Sequence, residues 1–256
     1  MIPARQNPFG INSWSFPLTL TARQDNSTVS IAKTGNPTVS GLQYRTNGTG
    51  WQPYAINTTI TLSHAGDYVQ FQNTELTLST SATSYVNFVL TGEIAASGNI
   101  QSMLNYRTGT HAFCFYNLFS QTSALLTAPA LPALVMTESC YRFMFRICSN
   151  LTGNIILPAT TLATDCYRAM FSTTKITSAK LPATTLVTRC YYYLFEYCQN
   201  LTSLEVNFSD WNEAAESTYQ WFSGSVSRTG TFTKPSTLTE VFSANRIPTG
   251  WTVVNK

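Results

Sequence analysis

The sequence predicts an α+β protein in two parts. An antiparallel β-sandwich comes first, and a short solenoid with one short strand and one short helix per repeat follows, closed by a β cap. Two observations carry this. Residues 112–222 write one unit five times, with starts 26, 26, 24 and 27 residues apart. A period in the twenties marks stacked units that bury their apolar faces on one another. Residues 14–92 instead alternate apolar and polar side chains in short runs between turn residues, the pattern of half-buried strands.

In chain order, residues 1–13 are polar and carry Pro3 and Pro8. They read as an arm, an anchor if a partner pins it and disordered if none does. Strands are expected at Phe16–Thr21, Thr28–Ala32, Thr58–Leu62, Tyr68–Phe71 and Tyr85–Leu90. Turn residues at Gly35-Asn-Pro37, Asn47-Gly-Thr-Gly50 and Ala65-Gly-Asp67 separate them. Such spacing predicts an immunoglobulin-like sandwich over 14–92. Tyr44–Trp51 reads as a hairpin with Tyr44 and Trp51 as cross-strand aromatics. Trp51 and Tyr54 have the rings to hold a sugar, but core or hairpin packing accounts for them better. Gly92–Gly98 is a glycine-flanked junction, and Asn99–Leu104 begins a first, atypical layer of a solenoid spanning 93–222.

Each repeat begins at Cys114, Cys140, Cys166, Cys190 or, in a worn copy, Ser217. Counting from that residue, an aromatic stands at one, Met or Leu at four, Phe at five, and sometimes Cys at eight. Offsets of 0, 1, 4, 5 and 8 are one stripe of an α-helix. Thr160, Thr161 or Thr164 would cap the helix that carries Cys166. The four cysteines, with Phe145, Phe171 and Phe195, form the predicted repeat core. Elements at Leu131-Pro-Ala133, Leu157-Pro-Ala159 and Leu181-Pro-Ala183 keep step and end short strands, with Ile155–Leu157 laid beside Ala179–Leu181. Residues 223–256 form the cap, with closing strands at Gly230–Lys234 and Trp251–Val254 covering the end of the stack.

The six cysteines form no CxxC, and His64 and His111 lie outside their register, so neither metal nor cofactor is expected. They read as buried free thiols. Cys140 with Cys148, and Cys190 with Cys198, would stand two helical turns apart, about 12 Å, too far for a disulfide. Charged residues are 11% of the chain and the net charge is +3 without a basic stripe, so nucleic acid is not an expected partner. No apolar run approaches the roughly 20 residues of a membrane span, and the first residues lack an export signal.

Neither histidine has an evident catalytic partner. Glu205 with Asp210, and Glu213 with Glu216, read as solubilising acids rather than a hydrolytic pair. An enzyme is not expected. The candidate contact surface is aromatic: Tyr192, Tyr193 and Tyr197 fall off the buried stripe at offsets two, three and seven, with Phe143 and Ile147 equivalent in the second repeat. Aligned on one face they would meet a protein, a glycan or a second subunit. Packing beneath a loop or on a neighbouring helix competes with that reading.

The stretch Leu157-Pro-Ala-Thr-Thr-Leu-Ala163 through Phe171, and Leu181-Pro-Ala-Thr-Thr-Leu186 through Cys198, resembles the BspA-type leucine-rich repeats of gut anaerobes and their phages. The β-domain and the closing Ile247–Val254 resemble segments that accompany such repeats. The resemblance implies a leucine-rich-repeat solenoid and a virion structural protein, a head or tail fibre or appendage in the phage particle. It further implies a homo-oligomer docked on other virion proteins through its N-terminal arm, with a host surface protein or glycan as a further partner. The alternative it implies is an adhesin at the bacterial cell surface. The chain departs from the pattern at Thr174, where a cysteine is expected, and by a two-residue deletion near Lys175-Ile176, which predicts a distorted third layer.

Overall fold

A computed structural model describes residues 16–37, 39–224 and 226–256, and the expected arm at 1–13 lies outside them. Eight strands build the N-terminal part: β1 (Leu18–Ala22), β2 (Ser27–Thr34), β3 (Leu42–Thr46), β4 (Gln52–Pro53), β5 (Ile60–Leu62), β6 (Tyr68–Asn73), β7 (Tyr85–Thr91) and β8 (Ile94–Ser97). One sheet runs β5-β2-β7, and the other runs β4-β3-β6-β1-β8. Period-2 burial is visible in β1, where Leu18, Leu20 and Ala22 are buried and Thr19 and Thr21 are not. The two sheets meet through their apolar faces, with the rings of Phe71 on β6 and Phe88 on β7 packed edge-on at 5.2 Å.

The hairpin aromatics are placed differently from the expected pair. Tyr44 lies opposite Gln52 and packs edge-on against Tyr54 at 5.8 Å, while Trp51 lies under the Arg45 guanidinium at 4.7 Å. Tyr54 is buried, and its hydroxyl donates to Thr58 O at 2.6 Å and accepts the Ile31 N–H at 2.8 Å. The ring therefore fills the core rather than facing a ligand.

Six strands follow in the solenoid: β9 (Leu125–Thr127), β10 (Thr152–Ile156), β11 (Lys175–Leu181), β12 (Ser203–Val206), β13 (Thr231–Lys234) and β14 (Thr252–Asn255). β10 to β14 form one parallel sheet in sequence order, a β-solenoid of about four turns. Ile155 pairs with Ala179, so the side-by-side strands are present. β13 and β14 continue that sheet as its next strands. The irregularity at the shortened third layer is a bulge. The register shifts at Gly153/Asn154, and the Thr177 hydroxyl donates across it to Gly153 O (3.3 Å) and Asn154 Oδ1 (2.9 Å).

No break in packing separates the two parts. β8 runs through the expected junction, antiparallel to β1 on one side and parallel to β9 on the other. Phe88 donates its N–H to Leu118 O at 2.7 Å and stacks on Phe119 at 4.8 Å. Gly98 turns the chain from β8 into the first layer at φ +75, and a Cβ there would overlap the Pro17 carbonyl.

The helix per repeat is not formed, and with it the α+β expectation gives way to a chain of strands and turns. Among the described residues the helical segments are 3-10 turns at Ile100–Leu104 and Glu213–Ala215. The cysteine-bearing segments are runs of overlapping β-turns. Ser139, Phe143 and Ile147 are left-handed, as are Asp165, Ala169 and Thr173, and Arg189, Tyr193 and Tyr197. These are offsets −1, 3 and 7 in every copy, and a left-handed residue at every fourth position forbids a right-handed helix.

The hydrogen bonds divide between the two directions. Arg142, Met144 and Arg146 donate three residues back, to Ser139, Tyr141 and Phe143. Tyr141, Phe143 and Phe145 donate to Cys166, Arg168 and Met170 of the next coil. Every backbone donor of the run is thus satisfied without a helix. Without a helix there is no end for Thr160, Thr161 or Thr164 to cap, and their backbone groups tie the coil to the one before: the carbonyls of Thr161 and Thr164 accept from Met136 and Ser139, and the Thr160 N–H donates to Leu134 O.

The misread has a simple cause. A helix turns about 100° per residue and a four-residue repeat about 90°, so over eight residues they diverge by only about 80°. The buried offsets 0, 1, 4, 5 and 8 suit both. Bulky residues held left-handed carry a cost, largest for β-branched ones. Thr173 (φ 62) is one of these. Thr173→Asn is expected to raise the unfolding free energy by about 0.5–1 kcal/mol in urea titration. A clear loss would mean that the threonine side chain packs more than its geometry costs.

Two aromatic columns run up the interior. Phe115, Tyr141, Tyr167 and Tyr191 stack at 5.3, 5.8 and 6.0 Å. Phe119, Phe145, Phe171 and Phe195 stack at 5.6, 5.5 and 6.3 Å. Trp221 closes both, 6.3 Å from Tyr191 and 6.2 Å from Phe195.

Candidate contact surface

With a four-residue turn repeat, offsets 2 and 3 of each copy lie between two buried pairs and are part-exposed, except Tyr116 and Ala169, which are buried. At offset 2 stand Tyr116, Arg142, Arg168, Tyr192 and Tyr219, one per coil. They form a ladder whose middle step, Arg142 to Arg168, is bridged by Asp165. Arg142 lies 5.9 Å from the Tyr116 ring, and Arg168 lies over Tyr192 at 4.6 Å. Tyr192 stacks on Tyr219 at 5.0 Å. At the N-terminal end Tyr85 of β7 packs edge-on against Tyr116 at 5.3 Å.

The five expected contact residues fall on this face in two groups. Tyr192 and Tyr193 pack edge-on at 4.6 Å and both touch Tyr219. Phe143 lies under two guanidiniums, Arg142 at 4.7 Å and Arg146 at 5.4 Å, and meets Tyr116 at 5.7 Å. The third coil, with Arg168 and Ala169, separates the groups. Ile147 and Tyr197 belong to the offset-7 column, 37% and 50% exposed, with Thr173 between them. Gly224 occupies the same position in the fifth copy, left-handed at φ +76, where a Cβ would strike the Tyr197 ring.

Sequence reasoning missed the arginines, although the shared offset-2 register was readable. It also missed their organiser, Asp165. This buried carboxylate takes two bonds from Arg189, Nε to Oδ1 at 3.0 Å and the second nitrogen to Oδ2 at 3.2 Å. Arg168 stands 3.5 Å from it and Arg142 3.9 Å. Three guanidiniums from three coils thus converge on one acid. Desolvation, and then the positive neighbour Arg168, hold the Arg142 pKa below the usual arginine value.

Beside Tyr85 a polar cleft of about 310 Å³ opens between β7 and the first coil, lined by Asn87, Asn117, Ser120, Gln121 and Thr122. The Thr122 hydroxyl is buried and has no hydrogen-bond partner among the described residues.

All seven predicted core residues, Cys114, Cys140, Cys166, Cys190, Phe145, Phe171 and Phe195, are fully buried. All six cysteines are free. Cys148 and Cys198 donate their S–H to Phe119 O (2.9 Å) and Phe171 O (3.0 Å) of the coil before. Where the third copy has Thr174, the hydroxyl donates to Phe171 O at 2.8 Å instead. Burial pushes the Cys140 and Cys198 thiols up to about 11 and those of Cys148 and Cys190 up to about 12.

The residues weighed for chemistry are engaged elsewhere. Glu205 binds Lys180 and Lys256 at 2.9 and 2.7 Å, and Glu213 pairs with Arg246. The Asp210 carboxylate accepts the Asn212 N–H at 3.3 Å. Burial lowers the pKa of His111, and its Nδ1 lies 3.0 Å from Ala112 O. No group of three or more His, Cys, Asp or Glu among the described residues has the geometry to hold a metal ion. No family model, curated protein or solved structure matches the chain.

Proposed function

We propose that this chain is a non-enzymatic phage virion structural protein, a head or tail fibre or appendage that assembles as a homo-oligomer through its N-terminal region and recognises a surface with its solenoid. The resemblance of the repeats to BspA-type sequences supports the setting. The single observation that supports recognition is the ladder of tyrosine and arginine held at one register on five coils. A stiff stack with a polar, ring-rich side suits contact with a large partner better than turnover of a small one. On this reading the N-terminal sheets are an immunoglobulin-like sandwich, and the coils are leucine-rich repeats in which consecutive turns replace the helix.

Density-gradient separation of a lysate of the source, probed with an antibody to this chain, tests the setting. The chain is expected to band with DNA-filled particles. Banding with cell envelopes would reject the virion and favour the surface adhesin, which the same face would serve.

A further inference from the structure

We infer that the Arg142–Arg168 step of the solenoid face is a binding site for an acidic glycan, a sugar chain whose rings carry carboxylates. The inference rests on the reading of this face as a recognition surface, and not on where the protein resides. Charge is the first argument. Asp165 accepts its two-point hydrogen bond from Arg189, which leaves Arg142 and Arg168 with only the long contacts of 3.9 and 3.5 Å. Two like-charged guanidiniums are therefore held side by side on successive coils without a full counter-charge. Their side chains keep 22% and 26% of their surface open. An incoming carboxylate meets planar donors suited to it, already oriented by their packing on rings.

Shape is the second argument. Part-exposed aromatic rings flank the cationic step, with Phe143 on one side, backed by the buried Tyr116, and Tyr192 on the other. The ring faces are covered by the guanidiniums and by Tyr219, so the part-exposed ring edges meet a sugar chain while the arginines take its acid. An acidic peptide would supply the charge without the hydroxyls that suit the adjoining polar cleft. A neutral glycan would leave the guanidiniums uncompensated. The row continues through Tyr85 into the polar cleft, whose amides and hydroxyls, the unpartnered Thr122 among them, suit a further sugar of the same chain.

The test is calorimetric titration of the full chain with trigalacturonic acid, its methyl ester and hexaglutamate. Expected is saturable binding of the acid, at least about 10-fold weaker binding of the ester, and weaker binding of hexaglutamate. Arg168→Gln should weaken the acid by about 10-fold or more, because a charged hydrogen bond is lost. The melting temperature of that variant reports whether it folds. Arg146→Gln supplies a second variant on the same face, since Arg146 makes no ion pair among the described residues. It should weaken the acid less than Arg168→Gln does.

Equal binding of acid and ester would overturn the inference in favour of a neutral glycan. Preference for hexaglutamate would make the face a peptide site and overturn it equally. No binding of any probe at millimolar concentration rejects the site, while the gradient result still stands for or against the virion.

Discussion

Raising the pH above 9 is expected to unfold the protein in one cooperative step. An ordinary thiol titrates near 9.0, whereas burial holds Cys140 and Cys198 at about 11 and Cys148 and Cys190 at about 12. Between those values the unfolded chain has released protons that the fold still binds. Stability is therefore unaffected below about pH 9 and falls as pH rises toward the folded values. Each thiol contributes about 1.4 kcal/mol per pH unit, so these four together remove about 5 kcal/mol per unit. A domain holds only about 5–15 kcal/mol in total. Cys114, Cys166 and the interior tyrosines Tyr141, Tyr167 and Tyr191 are raised for the same reason and add to the loss in the same direction. Circular dichroism and thiolate absorbance, followed together, should change in one transition about one to three units above pH 9. Thiolates that appear near pH 9 while the fold persists would show that the column is open to water.

Replacing Cys166 with aspartate makes the same point with one side chain. Cys166 lies in the interior with Cys140 and Cys190 as its charge-sensitive neighbours, so a carboxylate there has no cation. The expected cost is about 3–5 kcal/mol by denaturant titration. Cys166→Ser is the control, expected to cost only about 1–2 kcal/mol. Ser217 holds the same position in the fifth copy, where its hydroxyl donates to Val187 O at 3.0 Å. An unchanged midpoint for the aspartate variant would mean that the buried stripe has been assigned to the wrong residues.

The sequence made the stack and its buried stripe legible because the spacing of apolar residues reports burial directly. It hid the backbone that produces that spacing. Left-handed positions announce themselves when glycine or asparagine occupies them. Here Asn117 and Gly224 do so and Asp165 does so more weakly, but Phe143, Arg189 and Tyr193 give no such sign. The contact face was half legible. Tyr192, Tyr193 and Phe143 stood out as aromatics off the stripe, whereas the Arg142–Arg168 step depends on Asp165 drawing side chains from three coils together. The continuity of the two halves was invisible, since Phe88 is one more alternating apolar residue until it is seen stacked on Phe119.

That stack on Phe88 gives the molecule a direction of assembly. A coil has no core of its own and gains one only against a neighbour already in place. The N-terminal sheets, which pack on each other, supply the first such surface, and they leave the ribosome first. We infer that each coil of 24–27 residues zips onto the one before it in the order of synthesis, so that no half-built chain needs to expose more than one unpaired layer. Pulsed hydrogen exchange during refolding should protect β1–β8 before β10–β14, and the reverse order would make the solenoid the nucleus. The protein thus behaves less like two joined domains than like a crystal growing layer by layer from a seed at its N-terminal end.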